Sequence, residues 1–163
     1  MLSNDPNTSQ AINQIVIVGG GIMGASTAWF LWDDPDFKGS VLVVERDPTY
    51  ATASTTHTNS CMRQQFSDPL NVRISQFAAE FVNNLPRFMG NDPRVPNLRV
   101  QSFGYLYLAD NERTANVLRE NQTVQIAAGA ATQLMSADEI KATYPFYNVD
   151  DIRNIFNNYF FGS

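Results

Sequence analysis

The chain has 163 residues, 16 acidic and 11 basic side chains, a formal net charge of −5 and 44% hydrophobic residues. That length supports a domain with a real core, and the composition suits a soluble globular protein. The acidic balance and the lack of a basic tract argue against nucleic acid or an anionic membrane surface as the main partner. Cys61 is the single cysteine, which excludes an internal disulfide and a cysteine-based zinc site.

Met1 to Ile12 reads as a loose polar leader. It has no basic segment followed by an apolar core, and no run in the chain approaches the roughly 18 apolar residues of a membrane span. The expected location is cytoplasmic, with a mitochondrial one left open.

Ile15-Val16-Ile17-Val18 is a short β-branched run, the pattern of a strand buried on both faces. Gly19-Gly20-Gly21-Ile22-Met23-Gly24 follows and fits G-x-G-x-x-G. A helix is expected through Ala25 to Trp32, ended by Asp33-Asp34-Pro35-Asp36. Val41-Leu42-Val43-Val44 reads as the second strand, closing on Glu45. The order strand, glycine turn, helix, strand, acid is that of a Rossmann-like βαβ unit.

Each part has a physical task. Gly19 permits a tight turn. Gly21 lets a pyrophosphate approach the backbone. Gly24 lets the helix pack closely. Ile22 and Met23 sit at the helix head, where unpaired N–H groups and the positive end of the dipole face the phosphates. Glu45, followed by Arg46, trails Gly24 by about 20 residues, the spacing of an acid that accepts from the ribose 2′-hydroxyl. A 2′-phosphate would be repelled there, so NADP is excluded. Gly21→Val should abolish cofactor binding.

Asp47 to Asn59 is rich in hydroxyls. It supplies donors to phosphate and ribose oxygens or is a solvated loop; spacing alone does not choose.

With Cys61-Met62-Arg63-Gln64-Gln65-Phe66 a family resemblance becomes specific. The glycine turn, Glu45, Ala53-Ser54-Thr55-Thr56 and Met62-Arg63-Gln64-Gln65-Phe66-Ser67 resemble the N-terminal half of the D-amino-acid-oxidase-type (DAO) FAD-dependent oxidoreductases. That family includes glycine oxidase, sarcosine oxidase and dimethylglycine dehydrogenase. The Arg-Gln-Gln-Phe-Ser segment is most similar to its "FAD-dependent oxidoreductase domain-containing" branch. The likeness continues through Gly104 to Ala109 and Leu134 to Pro145.

The resemblance implies FAD held by the Rossmann-like half. It also implies oxidation of a C–N bond in an amino acid or N-methylated amine, with hydride passing to flavin N5. Gly19, Gly21 and Gly24 match the pyrophosphate turn and Glu45 the ribose acid. Ser54 and Thr55 match a cofactor-contacting loop. Arg63 matches a basic residue near the flavin ring, where a cation would stabilise the reduced ring or attract a substrate carboxylate. No catalytic base is named. Many relatives carry Gly-Gly where Ser60-Cys61 stand, and these side chains would crowd a close approach to the isoalloxazine. A histidine near His57 carries covalent flavin in one branch of the family. His57 is therefore read as an attachment point or as a polar loop histidine. Cys61 is read as a small buried filler or, beside Arg63, as a reactive thiol.

Asp68-Pro69 opens a helix whose Ile74, Phe77, Ala78, Phe81, Val82 and Leu85 form an apolar stripe, stopped or kinked at Pro86. Pro93 and Pro96 mark a linker. The expected division is 1–90 for the FAD-binding part and 91–163 for the start of an α+β substrate-binding domain. Leu98 to Ala109 reads as a strand interrupted at Gly104, with Tyr105 and Tyr107 on one face. Asp110 is the expected cap of a helix of about 17 residues ending near Gly129. Thr132 to Met135 reads as a strand, and Ser136 with Glu139 as a capping box. The aromatic run Phe156, Tyr159, Phe160, Phe161 has no evident partner in the chain.

A family enzyme is more than twice this length. The chain is expected to be the N-terminal part of one, inactive alone, with a small-molecule amine or amino-acid substrate. The rest would lie beyond Ser163, and a complementing chain or oligomer partner is a further expectation. Two other readings stand beside this one: a non-catalytic FAD-binding assembly module, and an NAD-dependent Rossmann dehydrogenase.

Overall fold

A computed structural model describes residues 15–102, 104–150, 152 and 154–158, the last five as backbone only. The chain divides into two compact units, Met1–Cys61 and Met62–Ser163. This division falls upstream of the 90/91 linker.

In the first unit, β1 (Ile15–Val18) runs into α1 (Ile22–Asp33), and β2 (Val41–Val44) returns parallel to β1. Ile15 pairs with Val41 and Val18 with Val44. The parallel pairing with a helical crossover is the βαβ unit expected from the sequence. The helix starts three residues earlier than expected, directly on the glycine turn. Ile17 points toward Gly24 of α1. Val16 and Val18 lie 55% and 86% exposed, which corrects the expectation of a strand buried on both faces. A parallel sheet needs cover on both sides; here α1 supplies one. The short α2 (Ser54–His57) lies in the hydroxyl-rich loop.

The second unit begins with α3 (Pro69–Asn83), and Asp68 caps it as expected: Oδ1 accepts from the N–H groups of Leu70 and Asn71 at 2.7 and 3.3 Å. Its fully buried residue is Val72, while Ile74 and Phe77 of the expected stripe are exposed. Phe77 and Phe81 instead stack with Phe88 of α4 (Leu85–Phe88), the turn that Pro86 restarts.

β3 (Tyr105–Ala109) is shorter than expected, because Gly104 holds a left-handed φ of 86° and no strand precedes it among residues 98–102. Helix α5 (Glu112–Ala127) is capped by Asn111, whose Oδ1 accepts from Thr114 N–H at 2.9 Å, and not by Asp110. It closes on Gly129 (φ 86°), with Gly129 N–H to Ile126 O and Ala130 N–H to Gln125 O both at 2.9 Å. That is the paired bond pattern of a glycine C-terminus.

β4 (Thr132–Met135) leads to α6 (Ala137–Thr143) through the predicted capping box of Ser136 and Glu139. β5 (Asn154–Asn158) then lies between β3 and β4, antiparallel to both. The backbone at Phe156 thus pairs with Tyr107 and Leu134, correcting the expectation of a partnerless run there. Tyr159, Phe160 and Phe161 lie outside the described residues. Ala109, Ala115 and Leu118 pack on one side of the sheet. Ile140 and Val149 pack with Leu106, Met135 and Tyr144 in a second cluster.

Candidate cofactor site

The turn between β1 and α1 carries the candidate site. Gly19 has a φ of 100°, a backbone conformation open to glycine and costly to other residues. Its carbonyl lies so close to Gly24 that a Cβ there would sit 1.8 Å from the oxygen. Gly24 therefore lets the first turn of α1 close onto the turn itself, as well as onto Ile17. Gly21 is different: an added Cβ would meet nothing nearer than Thr55 Oγ1 at 3.4 Å. Nothing in the fold requires glycine at 21, whereas a ligand approaching the backbone would.

Glu45 reaches back from the end of β2. Its Oε2 accepts from Gly20 N–H at 2.7 Å, and Oε1 accepts from Asp47 N–H at 3.0 Å. The bonds from Asp47 and then Gly20 hold its carboxyl below the ordinary 4.5. Glu45 is thus an ionised acceptor at neutral pH, aimed by two backbone donors, with lone pairs left for ribose hydroxyls. Arg46, next to it, is exposed. Asp47 is itself held low by the hydroxyl and N–H of Thr49.

Thr55 Oγ1 accepts from Ile22 N–H at 3.1 Å, joining α2 to the head of α1. Met23 is 77% exposed on that first turn, and its carbonyl accepts from the hydroxyls of Ser26 and Thr27. Ser54 opens α2 and is exposed; His57 closes it, also exposed. The structure thus brings Gly19, Gly21, Ile22, Met23, Gly24, Glu45, Arg46, Ser54 and Thr55 into one unit.

Arg63 lies in the second unit, its guanidinium 5.1 Å from the centre of the Phe66 ring, a cation–π arrangement. Cys61 is exposed, which corrects the reading of a buried filler. Ser60 holds a φ of 54°, so the backbone there keeps a conformation that glycine prefers.

Two residues at the turn escaped the sequence reading. Gly20 is an "x" of the motif, yet a Cβ on it would lie 2.6 Å from Tyr50 Oη. Tyr50 has a left-handed φ of 56°. The available signal was the third consecutive glycine, one more than the motif requires.

In the second unit, glutamines tie the 64–66 segment down. Gln125, only 4% exposed, donates to Phe66 O at 3.2 Å and accepts from Thr132 Oγ1 at 2.7 Å. Gln65 donates to Tyr105 O, and Gln76 to Ala128 O and Gln64 Oε1. A cavity of about 110 Å³ lies among Gln65, Tyr107, Leu118, Gln125 and Thr132. Among the described residues no His, Cys, Asp and Glu cluster suits a metal, and no helix is long and apolar enough to cross a membrane.

The donor set fits a dinucleotide with free ribose hydroxyls. The pattern of one family, described as FAD dependent oxidoreductase (DAO), matches residues 14–160. The chain belongs to the DAO family. FAD is that family's cofactor, which sets aside the nicotinamide alternative. "FAD-dependent oxidoreductase domain-containing protein 1" of Xenopus laevis is 41% identical over 142 residues, 85% of this chain and 28% of the relative. Mitochondrial sarcosine dehydrogenase of Mus musculus is 25% identical over 138 residues, 85% of this chain and 14% of that protein. Among solved structures, L-proline dehydrogenase from P. horikoshii superposes with a TM-score of 0.69 at 26% identity. That match takes in 88% of this DAO chain and 36% of the dehydrogenase. The DAO chain thus spans under a third of the length of these curated relatives.

Proposed function

We propose that this chain is the cofactor-binding part of an enzyme that oxidises the C–N bond of an amino acid or an N-methylated amine. The observation that carries the reading is Glu45, ionised and fixed by Gly20 and Asp47 beside a glycine turn that opens a helix. Sarcosine and L-proline, named in two of the similar proteins, are both secondary α-amino acids.

The backbone of Gly19 to Gly24 and the head of α1 would hold the pyrophosphate through N–H groups and the helix dipole. Glu45 would accept from the ribose hydroxyls, beside Arg46. Ser54 and Thr55 would offer hydroxyls to phosphate oxygens. FAD, when bound, supplies acceptance of two electrons from the substrate. Arg63 would supply a permanent cation for the reduced ring or a substrate carboxylate. Residues 1–90 would serve the cofactor and 91–163 begin the substrate part. The cytoplasmic expectation stands beside a mitochondrial one, the compartment in the name of the sarcosine dehydrogenase relative; cell fractionation decides between them.

A visible absorbance titration with FAD tests the site. Flavin bands shifted by the protein and retained through gel filtration are the expected result. A free-flavin spectrum throughout would reject the cofactor-site reading. The exposed faces of the β1–β2 sheet favour a second reading, a FAD-binding assembly module without catalysis. In a chain extended to the length of its relatives, anaerobic bleaching of the bound flavin by sarcosine or proline would reject that reading; an oxidised flavin with either amine would support it.

A further inference from the structure

We infer that Tyr50 is a cofactor-contacting residue whose phenol closes the junction between Glu45 and the head of α1, where the adenosine ribose meets the pyrophosphate. The inference deepens the FAD-site reading above and rests on it.

Placement is the first ground. Gly20 donates its N–H to Glu45, and the next residue, Gly21, heads α1. Gly20 is therefore the link between the ribose acid and the phosphate-binding helix. The tip of the Tyr50 ring lies against it: a Cβ on Gly20 would be 2.6 Å from Oη, 3.3 Å from Cε1 and 3.4 Å from Cζ. The phenol occupies the space that a side chain on Gly20 would take, and such a side chain would have to push it aside.

The backbone gives the second ground. Tyrosine at φ 56° is strained. The conformation is locked from both sides. Tyr50 N–H donates to Asp47 O at 3.0 Å. Its carbonyl accepts from Ala53 N–H at 3.1 Å and from Thr56 Oγ1 at 2.7 Å. Asparagine or glycine would adopt this turn at lower cost. Core packing does not account for the choice, since Tyr50 is 37% exposed. Strain held in place by its surroundings concentrates at ligand clamps.

Chemistry supplies the third. Among the described residues the hydroxyl has no hydrogen-bond partner. A phenol can donate to a phosphate oxygen or accept from a ribose hydroxyl, and the junction of a nucleoside diphosphate presents both. The ligand class recognised is thus the nucleoside diphosphate half of the cofactor, not the flavin.

ADP is the probe, with FAD in parallel, by isothermal titration of the whole chain. Tyr50→Phe should weaken both ligands by about fivefold, the loss of one hydrogen bond. Tyr50→Gly should weaken both by roughly tenfold or more while the melting temperature holds or rises, because glycine relieves the left-handed strain. Tyr50→Gly binding ADP as tightly as the unaltered chain would overturn the inference while the FAD-site reading stood. Loss of affinity only in step with a lower melting temperature would also overturn it, since that is the mark of a loop-holding role. An unaltered chain that binds neither ligand would reject the FAD-site reading, and the inference with it.

Discussion

Gly21 and Gly24 belong to one motif, yet the structure separates their tasks. A Cβ at Gly24 collides with backbone, the Gly19 carbonyl, which cannot move without reopening the turn. Gly24→Ala should therefore destabilise the first unit by roughly 1–3 kcal/mol and lose FAD binding as well. A Cβ at Gly21 has room in the folded chain. Gly21→Ala should melt with the unaltered chain and lose affinity alone. Thermal melts and FAD titrations on the two variants check the contrast. The sequence made both glycines legible as a set but could not assign collision to one and approach to the other, because that depends on where the Gly19 carbonyl points. Tyr50 was hidden for a similar reason: a left-handed tyrosine leaves no trace in composition or periodicity.

Glu45 carries a pH dependence at the same scale. Its folded carboxyl titrates below its unfolded value, so its contribution to stability is present above the unfolded value and is lost as pH falls through the folded one. FAD affinity should stay level from neutral pH down to about 4.5, the ordinary glutamate range, and fall at more acid pH. Glu45→Gln should remove the acid limb of that profile and weaken binding throughout. Isothermal titration across the range checks both.

At the scale of elements, caps were the most readable feature. Asp68 and the Ser136–Glu139 box stand where the sequence put them, because a cap is a contact between residues two or three apart. Asp110 lost its expected role to Asn111 by one position. The helix stripe of α3 was less readable: the spacing of Ile74 and Phe77 is helical, but which face meets the core depends on partners distant in sequence. Those partners include Ala128 at the end of α5, whose carbonyl accepts from Gln76; in the same helix the Gln125 amide spans from Phe66 to Thr132. Gln125→Leu would leave the half-buried Phe66 carbonyl and Thr132 hydroxyl without these bonds. It should cost about 1–3 kcal/mol, read as a lower urea midpoint at unchanged slope. Gln125 gave no sequence signal, since a glutamine in a helix of modest amphipathicity reads as a solvent position.

For the whole molecule, the two units differ in how far they are covered. The second has buried residues in two clusters. In the first, Val18, Met23 and Trp32 are 86%, 77% and 85% exposed, although parallel sheets are found covered on both faces. The chain alone should self-associate as its concentration rises, measured by light scattering. Extending it to the length of its relatives should suppress that association; an extended chain that associates as strongly would assign the exposed face to an oligomer contact. The βαβ unit and the family were legible because the glycine turn, acid and second motif are local. The units' boundary was not, because it is set by what Gln64 to Phe66 pack against.

The three-stranded sheet has its latest strand in the middle. Among the described residues β3 and β4 do not pair with each other; each pairs with β5. On a ribosome both would therefore wait, their edges open, until residues 154–158 emerge. That interval is one in which unpaired strands are exposed to other chains. The same strand fixes both registers at once, Tyr105 and Thr132 each meeting Asn158. A one-residue slip in β5 would put it out of register with both neighbours together, so an error there spoils the whole sheet and a correct pairing completes it in a single step.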